Sequence, residues 1–238
     1  MEEIFKNSKR IHDDFYLNEN LKVKESFKFL LNEIKNNFDG NFSLIDIGCA
    51  TGVFLSHVYQ QIPSAKLYGA DIMSSLLKET KKNCPSSTLF ELNINDTKSV
   101  KNNLGNKKFD IVVLDGVHPI FDNVNPWASN LMELVSENGA IYIFGSFNEE
   151  NYDVVTRVKL AGSDVWEQGW NRFSLATVRK EFEKNNFKVK TKKFNIHIDI
   201  KKSDDPRRTY TQKLKNGENL TRNGLELIST PYLIECKK

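Results

Sequence analysis

LIDIGCATGVFL, Leu44 to Leu55, is the stretch on which the rest of the chain turns. An apolar run closes on an acid, Asp46, and Gly48, Ala50 and Gly52 follow before apolar spacing resumes. That order reads as a buried strand, a tight turn and the start of a helix. A dinucleotide loop would carry G-x-G-x-x-G, with a pyrophosphate at the helix N-terminus. Here residue 53, where the third glycine of that pattern would fall, is valine, and no P-loop lysine follows. The spacing leans away from a bound phosphate.

Outward from this loop, strands and helices alternate. Residues 24–38 place Phe27, Leu30, Leu31, Ile34 and Phe38 at helical spacing, and Asp39-Gly40 stops that helix. FSLIDI is the first strand, with a helix from about 52 to 61. AKLYGADI is the second strand, and SSLLKETKKN is a helix with a serine N-cap. STLFELNI and FDIVVLD are the third and fourth strands, the latter apolar enough to be covered on both faces. NPWASNLMELVSEN is helical, Gly139 ends it, and AIYIFGSF is the fifth strand. Repeated β-α units predict a parallel sheet wrapped by helices, with ligands beyond the C-terminal strand ends. Further on, Ser174 caps the helix LATVRKEFEKN, and FKVKTKKFNIHIDI and PYLIEC are strand-like. KLKNGENLTR carries an Asn-Gly hairpin signal.

The 238 residues suit one elaborated domain. A net charge of +3 does not by itself point to nucleic acid or a membrane. No window approaches a membrane span, and MEEIFKNSKRIHDDF lacks the apolar centre of a signal peptide. Cys49, Cys84 and Cys236 form no CxxC or metal-ligand cluster, so a reduced cytoplasm is expected.

The strand ends carry the chemistry. Asp71 closes the second strand, and an ionised carboxylate there can accept both hydroxyls of a ribose. Asn93 opens NIND after the third strand and reads either as an adenine contact or as a turn residue. The fourth strand ends in DGVHPIF, Asp115 to Phe121.

Together DIGCATG (46–52), YGAD (68–71), FELNIND (90–96), FDIVVLDGVH and NLMELVSENGAIYIFG resemble the class I S-adenosylmethionine-dependent methyltransferases. The resemblance covers about residues 24–147, departing at Ala50 in the loop and at Asn93, where the family usually has an acid. It implies a Rossmann-like, doubly wound, seven-stranded, mainly parallel α/β sheet with a reversed last strand, plus a β-rich C-terminal insertion. It implies S-adenosylmethionine as cofactor and S-adenosylhomocysteine as product. The implied cofactor set is Asp46, Gly48, Cys49, Gly52, Asp71, Ile72, Asn93, Ile94 and Asp115. The glycines would let the backbone approach the methionine portion, and Asp46 would face its positive end. Residues 1–23 are expected to be a lid or arm, with substrate-side insertions in the main domain at about 148–173 and 198–230.

A general base would serve a hydroxyl acceptor. His118 follows the fourth strand and is read as that base or as a packed loop histidine, with Asp115 orienting it, fixing the cofactor or capping the turn. His57 and His197 read as structural, and His12 as a candidate lid residue. No D/N-P-P-Y/F sequence follows the fourth strand and no Pro-Cys pair exists, against base N-methylation and cytosine C5 chemistry. Asp122-Asn123 is poorly spaced from Asp115 for a metal set, and no metal is expected. Trp166, Trp170 and Asn171 in WEQGWNRFS suit a sugar or planar substrate, or a small core. Arg207 and Arg208 beside Tyr210 point to an anionic acceptor. The C-terminal region also resembles bacterial methyltransferases of surface-polysaccharide synthesis, which implies O-methylation of a sugar, nucleotide sugar or phosphorylated precursor. The competing readings are an RNA methyltransferase, from the basic segment 186–215, and a non-catalytic cofactor-binding subunit.

Overall fold

The computed structural model describes residues 8–10, 12–17 and 22–238, with the side chains of residues 12–14 outside the description. The expected arm over residues 1–23 thus lies partly outside the described residues, as does the His12 side chain.

Helix α1 (Glu25–Lys35) leads into β1 (Ser43–Ile47), α2 (Val53–Gln61), β2 (Lys66–Asp71), α3 (Ser74–Asn83), β3 (Thr88–Glu91), α4 (Thr97–Leu104) and β4 (Phe109–Asp115). Then come α5 (Asn125–Leu134), β5 (Val135–Ser146), β6 (Val158–Lys159), β7 (Trp166–Glu167), α6 (Leu175–Glu183) and β8 (Lys188–Lys193). The chain ends with β9 (Thr209–Lys213), β10 (Asn219–Asn223), β11 (Ile228–Ser229) and β12 (Pro231–Lys237). Seven strands form the main sheet in the order β3-β2-β1-β4-β5-β12-β8. The pairings from β3 through β5 are parallel, and β12 inserts antiparallel between β5 and β8. This is the Rossmann-like fold with a reversed last strand.

Side-chain alternation divides the core in two. Ile45, Val112, Leu114 and Ile143 pack on the face that holds α4, α5 and α6. Leu44, Ile111, Val113 and Tyr142 pack on the face of α1 and α2. Residues 111–114 of β4 are fully buried, which is why its sequence is an unbroken apolar run.

Several local expectations fail for tertiary reasons. The helix expected through Asn138 stops at Leu134, because Val135 already pairs with Phe109 in the sheet. A bulge follows between Phe109 and Ile111, where the Asp110 carboxylate accepts from Ser43 N and Oγ, both at 2.8 Å. Ser74 is not an N-cap: Met73 holds that position, and its N–H donates to Asp71 Oδ1 at 3.0 Å. Helix α4, not read from the sequence, is capped by the Asp96 side chain. FKVKTKKFNIHIDI stays in the sheet only to Lys193, and Phe194 N makes the last backbone bond, to Pro231 O where β12 begins.

The Asn-Gly turn does join two strands, β9 and β10, with Leu214 N donating to Glu218 O across it. A second sheet, β11-β10-β9, and the β6-β7 hairpin lie outside the main sheet. Lys9 bridges to Glu167, which lays residues 8–10 along the hairpin.

Candidate cofactor and acceptor pocket

The C-terminal ends of β1, β2 and β4 and the turn after β3 open into a cavity of about 870 Å³. Its floor is the glycine loop. Gly48 and Gly52 have φ of +77° and +76°, and a Cβ at 48 would come within 2.2 Å of Val117. A Cβ at 52 would meet Thr80 at 2.6 Å, so both positions need glycine for space as well as for backbone angle. Ala50 between them is also left-handed, at φ +48°, a costly conformation for a residue with a Cβ. Two side chains hold it there: Asp71 Oδ2 accepts from Ala50 N at 3.0 Å, and Thr80 Oγ1 donates to Ala50 O at 2.6 Å. Asp71 therefore fastens the loop as well as facing the cavity.

Three carboxylates share this wall: Asp46, Asp71 and Asp115. Burial, then the charges of Asp115 and Asp71, raises the Asp46 pKa well above the ordinary value. Burial raises Asp115 to about 6, against the lowering influence of the Lys24 ammonium. The pocket thus crowds three carboxyl groups whose ionised forms a cationic ligand would favour. Cys49 also lines it, with Sγ 3.9 Å from Thr80 Oγ1 and a thiol pKa raised by burial.

At the other end, Ile72 is 61% exposed and, with Leu92 and Ile94, gives the wall an apolar surface. Asn93 is on the wall, but its Oδ1 accepts from Asn95 N at 2.9 Å, the turn role. The sequence reading missed Asn95. Asn95 lines the cavity, and its Oδ1 is buried without a hydrogen-bond partner among the described residues.

His118 sits elsewhere. It is fully buried, stacked on Phe147 at 4.3 Å between ring centroids, with Nε2 3.2 Å from Ser146 O. Burial lowers its pKa to about 4, only partly offset by the bond to Ser146. The pocket wall at this turn is Gly116, Val117, Ile120 and Phe121. The expectation of a histidine base facing the reacting centre is thereby corrected: the turn points the ring into the core.

The expected acceptor-side residues are also displaced from the wall. Asn171 is fully buried: Nδ2 donates to Phe121 O and Asp122 Oδ1, and Oδ1 accepts from Thr156 N. Trp166 belongs to β7 and lies under Lys159, and Trp170 is half-buried next to Asn171 without lining the cavity. Arg207 binds Asp205 through Nε at 2.8 Å and reaches Glu167, Arg208 pairs with Asp205 and covers Phe15, and Lys202 lies over Tyr210. These groups brace the C-terminal sheet against the insertion. The residues that do close the cavity on this side are Arg10, Tyr16, Lys22, Lys24, Phe27, Gln168 and Ile198. The chain pattern around them gives no periodic signal, since the strap at residues 8–10 is tied to Glu167 by a long-range bridge.

The expected cofactor, S-adenosylmethionine, would meet acids at its cationic centre and ribose and apolar surface at its base. Among the described residues no group of three or more His, Cys, Asp or Glu is arranged to hold a metal ion, and no helix is long and apolar enough to cross a membrane.

Comparison with known proteins agrees with this layout. The chain is 22% identical over 148 residues to malonyl-[acyl-carrier protein] O-methyltransferase 1 of Ilyobacter polytropus, covering 62% of this chain and 53% of that protein. It is 24% identical over 200 residues to the release factor glutamine methyltransferase of Flavobacterium psychrophilum, covering 77% and 67%. The chain thus spans about half to two thirds of these relatives' lengths. Among solved structures, the DhpI-SAM-HEP complex shares the fold with a TM-score of 0.59 at 10% identity, over 96% of this chain and 94% of that one. Residues 45–141, from β1 into β5, match the family described as methyltransferase domain.

Proposed function

We propose that the protein transfers the methyl group of S-adenosylmethionine to a small-molecule acceptor and releases S-adenosylhomocysteine. The observation that carries this reading is the crowding of Asp46, Asp71 and Asp115 on one wall above a glycine loop without phosphate spacing. When bound, the cofactor supplies a methyl carbon activated by a sulfonium. Asp46 and Asp115 balance that positive charge, and the match is strongest when both are ionised. Asp71, which lines the cavity and accepts from Ala50 N and Met73 N, is the carboxylate assigned to the ribose hydroxyls. Asn95 Oδ1 accepts from the adenine amino group, while Ile72 and Ile94 cover the ring faces.

The acceptor is read as a hydroxyl of a sugar, nucleotide sugar or phosphorylated precursor of a surface polysaccharide. With His118 in the core, the proton of such a hydroxyl goes to Asp115, whose pKa of about 6 suits a base at neutral pH. Positioning of the two reactants supplies the rest of the acceleration. A small acceptor is favoured over RNA because the net charge is only +3 and part of the basic C-terminal region is paired: Lys192 with Glu33, Lys193 with Glu149, Arg207 with Asp205. Three free, buried cysteines support a reducing compartment such as the cytoplasm.

The test is calorimetry with S-adenosylmethionine and S-adenosylhomocysteine, then incubation of labelled cofactor with nucleotide-sugar extracts read by mass spectrometry. Binding of both cofactor forms and a labelled product are expected. No binding of either form sinks the reading, and binding without transfer to any pool would make the protein a cofactor-binding subunit.

A further inference from the structure

The cavity is lined by charges of both signs: the three acids on the wall at the strand ends, and at the rim Arg10, Lys22 and Lys24 together with Glu25, which pairs with Lys28. Some described lysines are matched to acids, Lys28 to Glu25, Lys82 to Glu79, Lys192 to Glu33 and Lys193 to Glu149, each at 2.6 Å, but most are not. Lys22 and Lys24 form no ion pair among the described residues, although both border the cavity.

Their placement is built rather than incidental. Lys24 is the N-cap residue of α1, and its Nζ lies 5.4 Å from the Tyr16 ring centre and 5.3 Å from that of Phe27. Two aromatic faces thus steer the ammonium, which is near enough to Asp115 to lower its pKa. Arg10 is fixed from the other side. Lys9 N donates to Trp166 O and Gln168 N to Lys9 O, an isolated bridge that ties residues 8–10 to β7. The Arg10 guanidinium fills the space that a Cβ at Gly169 would occupy, with Nη1 3.5 Å from Gly169 O. At about 870 Å³ the cavity is near the top of the ~300–1,000 Å³ range of small-ligand sites, which leaves room beside a nucleoside cofactor.

We propose that Arg10, Lys22 and Lys24 form a binding site for a carboxylate or phosphate group on the acceptor, so that the enzyme selects anionic small molecules. The inference rests on the methyltransferase reading, because the acids of the floor are thereby committed to the cofactor. An anion on the rim leaves the neutral end of the acceptor pointing at Asp115, and the anion stays unreacted. This assigns acceptor selection to the strap and the start of α1, in place of Arg207 and Arg208, which are held by Asp205 and Glu167.

The probe is inorganic phosphate, titrated at pH 8 by calorimetry into unliganded protein, protein saturated with S-adenosylhomocysteine and protein saturated with 5′-methylthioadenosine, which lacks the amino-acid portion. Saturable binding of similar strength is expected to both nucleoside-loaded forms. Lys22→Gln and Lys24→Gln should each weaken it about fivefold, the ratio for one unit charge near 4 Å in a water-like dielectric, with S-adenosylhomocysteine affinity within about twofold of wild type. Phosphate bound only by the methylthioadenosine form would mean that the rim holds the cofactor's own carboxylate, and the proposal falls. It also falls if phosphate does not saturate, or if the glutamine variants bind it as wild type does. Should neither nucleoside bind, the methyltransferase reading fails instead, and the unliganded titration still reports whether the rim takes an anion.

Discussion

Asp115→Asn separates what the pocket costs the fold from what it gives the ligand. Burial raises the Asp115 carboxyl from 3.8 to about 6 in the folded protein. A raised folded pKa means that the folded state holds the proton more tightly than the unfolded chain. The stabilising contribution is complete below the unfolded value, near pH 4, and is lost as pH rises through 6. Above that range the ionised, buried carboxylate costs the fold up to about 3 kcal/mol, from ~2 pKa units at 1.36 kcal/mol each. Residual solvent contact of this half-buried side chain brings the figure nearer ~2 kcal/mol. Asparagine keeps the shape and removes the charge. The variant should therefore melt about 4–8 °C higher than wild type at pH 7.5, on the entropy of unfolding for a chain of this size. Near pH 4 the two proteins should melt together. In the same variant S-adenosylmethionine should bind about tenfold more weakly at pH 7.5, because one charge opposite the sulfonium is gone. S-adenosylhomocysteine, which has no sulfonium, should lose less. Scanning calorimetry at the two pH values and titration calorimetry at the higher one read both effects. Equal or lower stability at pH 7.5, or unchanged S-adenosylmethionine affinity, would refute the view that Asp115 is held ionised for a cation.

Asp71→Ala should raise the dissociation constant for S-adenosylhomocysteine about 100-fold, since it removes the acceptor for Ala50 N and Met73 N, each bond to a charged group being worth ~1.5–3 kcal/mol; near-wild-type affinity by calorimetry would show that the loop holds itself. His118→Gln addresses the buried histidine. Its folded pKa of about 4 lies below the ordinary 6.5, so its contribution is present above 6.5 and lost as pH falls through 4, up to roughly 3 kcal/mol. Denaturant melts of the variant should be flatter between those pH values, with turnover per folded molecule within about twofold of wild type; a collapse of turnover at unchanged cofactor affinity would restore the base reading.

What the sequence made legible is what short-range periodicity and turn chemistry encode. β4 could be placed to the residue because a strand buried on both faces has no polar interruptions between Phe109 and Leu114 except Asp110, the bulge residue bound to Ser43. The loop 48–52 was legible because left-handed backbone demands glycine, and its one exception, Ala50, needs two outside side chains to sit there. His118 was misread for a definable reason. Strand parity predicts direction only while the backbone stays extended, and Gly116, at φ +70°, ends that regularity two residues before the histidine.

The acceptor side failed differently. Asn171 meets Asp122 across 49 residues, and Arg207 meets Glu167 across the gap between two separate sheets. A polar residue far from its partner in sequence looks free, and free polar residues invite a functional reading. The lysines at 22 and 24 presented the reverse problem: in sequence they resemble an ordinary solvated run beside Glu25, yet Glu25 is taken by Lys28 one helical turn on. Only the fold shows which charges are already matched. On the proposal that Lys22 and Lys24 help hold an anionic acceptor, removing the two should change which acceptor is methylated before it changes how tightly the cofactor is held.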